Sequence, residues 1–195
     1  MAEQANPQAN PAALGLICFG LTTVMLSLVN AGMVPSGGLQ VVLPLAFIYG
    51  GLMQIVAGVL EAKTGNTFGM TAFISYGAFW VWFALLIWLG GMKSLDLSGV
   101  GNGINVALIL WGFFTLYMWV GTFKLNWALW WIFLTLWVTY FLLGIGGLTG
   151  IKSLGLAGGG LGVLCGVIAM YTSFALVTNS TFKRTVLPVG SAPSG

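Results

Sequence analysis

Apolar side chains fill the chain in six long runs, from about Ala13 to Val34, Leu39 to Leu60, Thr71 to Gly91, Gly103 to Phe123, Trp127 to Leu148 and Leu156 to Thr178. A helix rising 1.5 Å per residue needs roughly 20 such residues to cross a hydrocarbon core about 30 Å thick, and every run reaches that length. The breaks between runs are short and carry turn chemistry: Pro35-Ser36-Gly37-Gly38, Thr64-Gly65-Asn66, Asp96-Leu97-Ser98-Gly99 and Gly150-Ile151-Lys152-Ser153. Barrel strands would need only about ten residues each and would alternate in polarity. The pattern therefore predicts an all-α membrane protein whose six transmembrane helices form one bundle. The first run is too long for a signal-peptide core and no Lys or Arg precedes it, so it is read as a retained helix. Residues 1–9 read as a disordered N-terminal tail, 10–187 as the six-helix transmembrane domain, and 188–195 as a C-terminal tail, also disordered.

The few polar positions inside the runs fall in register. Phe19, Thr23, Ser27 and Asn30 share one face of the first span. A polar stripe is costly against lipid, so it faces either a water-filled path or another helix, as pore lining or as hydrogen-bonding glue. Ala46, Gly50, Gln54, Gly58 and Ala62 recur every four residues along the second span, a seam of small residues with one amide at its centre. Gly158, Gly162 and Gly166 make a second seam, read as a packing surface, in one version between subunits. Trp119, Trp127, Trp130 and Trp131 sit near span ends, where an interfacial aromatic belt belongs.

Composition removes whole classes of function. The chain has no histidine, 5% charged residues and three side-chain carboxyls, Glu3, Glu61 and Asp96, too far apart to pair. Acid–base chemistry has almost nothing to work with, so the chain is not expected to be an enzyme. Cys18 and Cys165 lack metal-ligand spacing, and no metal or cofactor is expected. Lys63, Lys124, Lys183 and Arg184 fall on one side of the predicted bundle against Lys93 and Lys152 on the other. The positive-inside rule then places both termini in the cytoplasm of a multi-pass cell (plasma) membrane protein, and the net charge of +3 reads as topology rather than nucleic-acid binding. On that topology the Asn179-Ser180-Thr181 sequon is attributed to chance.

Three helix starts carry asparagine on the same side: Asn10 before Pro11, Asn66 before the third span and Asn126 before the fifth. Each is a capping residue at the positive end of a helix dipole, with Lys63 and Lys124 close in sequence, so these starts predict an anion-attracting mouth.

Asn10-Pro11-Ala12-Ala13-Leu14-Gly15-Leu16 resembles the Asn-Pro-Ala-Pro-Leu-Gly-Leu signature of the acetate and succinate transporter family, AceTr or YaaH. Further matches are Tyr49-Gly50-Gly51 with Gln54, Ala57-Gly58 and Glu61; Gly65-Asn66-Thr67-Phe68-Gly69 with Thr71-Ala72-Phe73; Ser75-Tyr76-Gly77 with Phe79-Trp80; and Arg184-Thr185-Val186-Leu187-Pro188. The resemblance spans Asn10 to Gly190 and departs from the signature at Ala13, where the family has a second proline. It implies transport of small carboxylates, acetate or succinate, through a central pathway in each protomer of a ring-shaped homo-hexamer. It also implies a hydrophobic constriction, whose matching positions are Phe19, Tyr76 and Leu136. Thr23, Ser27, Asn30 and Gln54 are the expected polar lining, and the signature residues with Asn66 the expected mouth. Without histidine or a carboxylate near the middle of a span, any coupled proton is expected to travel on the substrate's own carboxyl. Proton-coupled symport and a passive anion channel both fit. The alternative is a channel for a small neutral solute such as urea or ammonia.

Overall fold

The computed structural model describes residues 9–97 and 99–194 and is all-helical among them. Residues 1–8, most of the expected N-terminal tail, lie outside the described residues. Six helical spans are long and apolar enough to cross a membrane, as the hydrophobic runs predict. The first is α1, Ala12–Asn30. The second is continuous from Ser36 to Lys63 and combines a short 3-10 turn, α2 (Leu39–Leu45), a π-helical stretch (Ala46–Met53) and α3 (Gln54–Lys63). The others are α4 (Thr67–Gly91), α5 (Gly101–Gly121), α6 (Trp127–Thr149) and α7 (Lys152–Phe182).

Local chemistry explains where these boundaries depart from the apolar runs. The first run continues to Val34, but α1 stops at Asn30 because Gly32 adopts φ +71°, a left-handed conformation that glycine takes without a Cβ clash. Gly32 N–H then donates to Val29 O and Met33 N–H to Leu28 O, the paired closure of a helix C-terminus. Pro44 lies inside the second span and cannot supply the N–H of a regular turn, and the π-helical stretch begins two residues after it. Asn66 caps α4, its Oδ1 accepting from Gly69 N–H at 3.0 Å, which starts that helix four residues earlier than the apolar run does. At 31 residues, α7 is roughly 46 Å long and outreaches the hydrocarbon core.

The spans form a ring in chain order, closed by α1 against α7, with α4 and α5 the sparsest neighbours. Aromatic side chains bridge that thin join: Tyr76 lies 6.0 Å from Trp111 and Phe79 5.2 Å from Trp111, centroid to centroid. The join of α1 and α7 is tight because their backbones meet. A Cβ on Gly166 would come within 2.7 Å of Gly20 O, and one on Gly20 within 2.8 Å of Gly166 O. Gly162 and Gly166 therefore pack against α1 within the chain and Gly158 against Leu142 and Leu143, which accounts for that seam without a second subunit.

The seam on the second span is also redrawn at its end. Ala46, Gly50, Gln54 and Gly58 are buried, but Ala62 is exposed and Glu61 is buried in its place. A repeat of four matches the widened π-helical turn better than the 3.6-residue α turn, so the face drifts by one position once α3 resumes.

The C-terminal tail is docked rather than disordered over residues 188–194. Val189 O and Ser191 O accept from Ala128 N–H (3.0 Å) and Trp127 N–H (3.1 Å), and Ser194 N–H donates to Phe123 O (3.1 Å). Asn179 turns the chain into this strap: its Oδ1 accepts from Val186 and Leu187 N–H, and its Nδ2 donates to Leu187 O. The Asn179 side chain is thus a structural brace, a reason for that asparagine independent of the sequon.

Candidate functional site

Two cavities lie end to end inside the ring. The first, about 210 Å³, opens at the end that carries the starts of α1, α4 and α6. Asn10, Asn66 and Asn126 all line it, so the three capping asparagines do share one mouth. The second, about 200 Å³, lies toward the opposite end of the bundle and is lined by Thr23, Ser27 and Asn30 from α1 and Thr139 and Tyr140 from α6. Phe19 and Leu136 line both cavities and so form the partition between them. Tyr76 completes it from the first side, its ring 5.8 Å from that of Phe19.

All three partition side chains are buried. The Tyr76 hydroxyl is turned out of the path: it donates to Thr115 Oγ1 at 2.9 Å, and Thr115 in turn donates to Trp111 O at 2.7 Å. What Tyr76 presents to the cavity is therefore mainly its ring. The partition is apolar on every side, and a solute crossing it meets no donor from these three residues.

Polar groups stand on either side of the partition. Gln54 lines the first cavity with 0% exposure, and neither its Oε1 nor its Nε2 has a hydrogen-bond partner among the described residues. Leaving such an amide unsatisfied costs about 1–3 kcal/mol, so the position is held at the expense of stability. In the second cavity the hydroxyls of Thr23 and Thr139 are likewise buried and unpartnered. Thr139 was missed by sequence reasoning. It sits four residues from Thr135 on the helix that carries Leu136, the same spacing that marked the α1 stripe.

The mouth differs from expectation in how its donors are used. Ala12 N–H is taken by Asn10 Oδ1 at 3.0 Å, and Leu14 N–H by Pro11 O. Ala13, where the signature has proline, directs its N–H to Asn10 O at 3.4 Å, and its carbonyl accepts from Ser173 Oγ at 2.6 Å. At α6, Asn126 Oδ1 takes Leu129 N–H, and the strap takes Trp127 and Ala128. The first-turn amides of α1 and α6 are thus satisfied within the protein. Lys63 and Lys124 do not line the cavity, and Lys124 Nζ donates to Ser194 O. The mouth offers asparagine amides rather than bare helix ends. The strap belongs to it, because Val189 lines the cavity.

A model of the GPR1/FUN34/yaaH family matches residues 1–194. The chain belongs to that family. It is 43% identical over 186 residues to the succinate-acetate/proton symporter SatP of Escherichia coli K12, covering 94% of this chain and 96% of that one. Acetate permease A of Emericella nidulans is 36% identical over 208 residues, 97% of this chain and 68% of the permease. Ammonia transport outward protein 2 of Saccharomyces cerevisiae is 40% identical over 171 residues, 86% of this chain and 61% of that protein. The solved structure of the bacterial acetate channel SatP superposes with a TM-score of 0.89 at 42% identity, covering 94% of this chain and all of that one. These family members are transporters and channels rather than enzymes, and the chain is a multi-pass, six-span membrane protein.

Proposed function

We propose that this chain moves small carboxylates, acetate and succinate among them, across the membrane through its own central pathway. The observation that carries the reading is the pair of cavities divided by Phe19, Tyr76 and Leu136, with unpartnered amide and hydroxyl groups on both sides. Near neutral pH a carboxylic acid with a pKa of about 4 to 5 is mostly the anion. An anion leaving water needs donors to replace its hydration, and Gln54 before the partition with Thr23, Ser27, Asn30 and Thr139 beyond it are suited to that task. The apolar partition opposes a bare charge, which favours crossing together with a proton over passage of the free anion. The relatives named for acetate and for succinate-acetate/proton symport support the same assignment.

The reading extends to the assembly and its placement. Both termini lie on the cytoplasmic side of the cell (plasma) membrane, an orientation supported by four basic residues on that side against two on the other. The chain forms a homo-hexamer, as the family resemblance implies, and each protomer has its own pathway, a reading supported by cavities lined from a single chain. Flux of labelled acetate into proteoliposomes, with and without a pH gradient and against labelled urea and ammonium, tests the function. Acetate flux stimulated by an acid outside is expected. Flux of urea or ammonia without acetate would instead favour the neutral-solute alternative, to which the yeast relative's name points.

A further inference from the structure

Of the three partition residues only Tyr76 has a polar end, and that end is bonded to Thr115 of α5, which lines neither cavity. The Tyr76 ring is flanked by Phe114 at 5.4 Å, Phe19 at 5.8 Å, Trp111 at 6.0 Å and Phe133 at 6.1 Å, centroid to centroid, and it borders the first cavity. Ring pairs restrain tilt loosely, because edge-on and offset arrangements are both favourable. A hydrogen bond is directional and weakens steeply as its angle bends. The 2.9 Å bond from the Tyr76 hydroxyl to Thr115 Oγ1 is therefore the directional tie on that ring.

The tie is anchored in the backbone of α5. Thr115 is completely buried, and its hydroxyl donates to Trp111 O at 2.7 Å, one turn back along the helix. A threonine hydroxyl carries one proton, so with that proton directed at Trp111 its oxygen can only accept, and Tyr76 must be the donor. Trp111, Phe114 and Thr115 share one helical face, which supplies two of the rings around Tyr76 together with the acceptor for its hydroxyl. Among the described residues none from α5 lines the first cavity. Because α4 and α5 are the sparsest neighbours in the ring of spans, few other contacts hold this face of α5 to α4.

We propose that Thr115 is a positioning residue that acts through Tyr76: it holds the ring at the angle that closes the partition and so sets how large a carboxylic acid can pass. The inference rests on the carboxylate reading and deepens it, by naming a determinant of substrate size that stands outside the path. Once the tie is cut, the ring is free to lean toward the first cavity, and the gap between Phe19 and Leu136 widens. Loss of the acceptor adds a push in the same direction. A buried hydroxyl without a partner is costly, and the first cavity is also lined by the unpartnered amide of Gln54.

The test is the ratio of butyrate flux to acetate flux into proteoliposomes of the full chain. A ratio taken within one preparation cancels differences in the amount of folded protein. Thr115→Val keeps the shape of the side chain and removes the acceptor, and the ratio should rise about threefold or more, since discrimination by chain length follows how closely an apolar site fits. Tyr76→Phe removes the donor from the other end of the same bond and should raise the ratio to a similar degree. The double variant should do no more than either single change, as two residues acting as one unit require. Thr115→Ser retains the hydroxyl and should hold the parent ratio. A parent ratio in Thr115→Val or in Tyr76→Phe would overturn the proposal, and so would a raised ratio in Thr115→Ser. Single effects that multiply in the double variant would overturn it as well, because Thr115 would then act on the path by a route other than Tyr76. If Thr115→Val does not fold, Tyr76→Phe and Thr115→Ser decide the matter by the same criteria. A parent that passes neither acid overturns the carboxylate reading and this inference with it, and is told apart because no ratio can be formed.

Discussion

Gln54 is a buried amide with no hydrogen-bond partner among the described residues, so packing gives no reason for it. Gln54→Leu should leave thermal stability in detergent unchanged or raise it by about 1–3 kcal/mol, since the unsatisfied group is removed. Acetate flux should fall about tenfold or more. Equal loss of folded protein and of flux would return Gln54 to a bracing role. Leu136 makes the complementary case. Leu136→Ala removes volume from the partition that both cavities share, and flux of acids larger than acetate should rise relative to acetate. Unchanged selectivity would remove Leu136 from the constriction. Gln54 was legible as an isolated amide on a seam of small residues. Thr139 was not singled out, and the satisfaction of the Trp127 and Ala128 amides at the start of α6 was invisible, because their acceptors, Ser191 and Val189, are distant in sequence.

Among the helices, glycine positions separate into those that permit contact and those that merely occur. On α7, Gly166 meets the backbone of Gly20 and Val24, which cannot move aside as a side-chain end can, whereas a Cβ on Gly160 would meet nothing within 4 Å. Gly166→Ala should therefore destabilise by about 1–3 kcal/mol through overpacking. Gly160→Ala should be neutral or stabilising by up to about 1 kcal/mol, the helix-propensity gain. Unfolding midpoints in one detergent compare the pair, and equal effects would contradict the packing of α1 on α7. The six spans themselves were plain from hydropathy, since length and apolarity are local properties. The π-helical stretch was not, because Pro44 announces a disturbed ladder without saying how the chain absorbs it.

Taken together, the six spans enclose two chambers, and the segment after α7 returns to the mouth of one of them. Truncation after Leu187 would free the Trp127 and Ala128 amides and remove the cover that Gly190 lays over the Trp127 ring. With the Ser194 to Phe123 bond also lost, three backbone hydrogen bonds at about 0.5–1.5 kcal/mol each predict a lower unfolding midpoint. Tryptophan emission should shift to longer wavelength as the indole becomes wetter. An unchanged midpoint and spectrum would mean that the strap does not hold in the membrane. Sequence alone read this segment as a loose end, because Pro, Gly and Ser dominate it and none of its partners is nearby in the chain.

That docking also bears on the order in which the protein is made. The first turn of α6 donates to Val189 and Ser191, which the ribosome reaches only after it has synthesised all of α7. Until then those two amides must be held by interfacial water, and the chamber they border has an unfinished rim. Biogenesis of the fifth span therefore has two stages, early insertion and late closure, so a lesion beyond α7 would be felt at the beginning of α6.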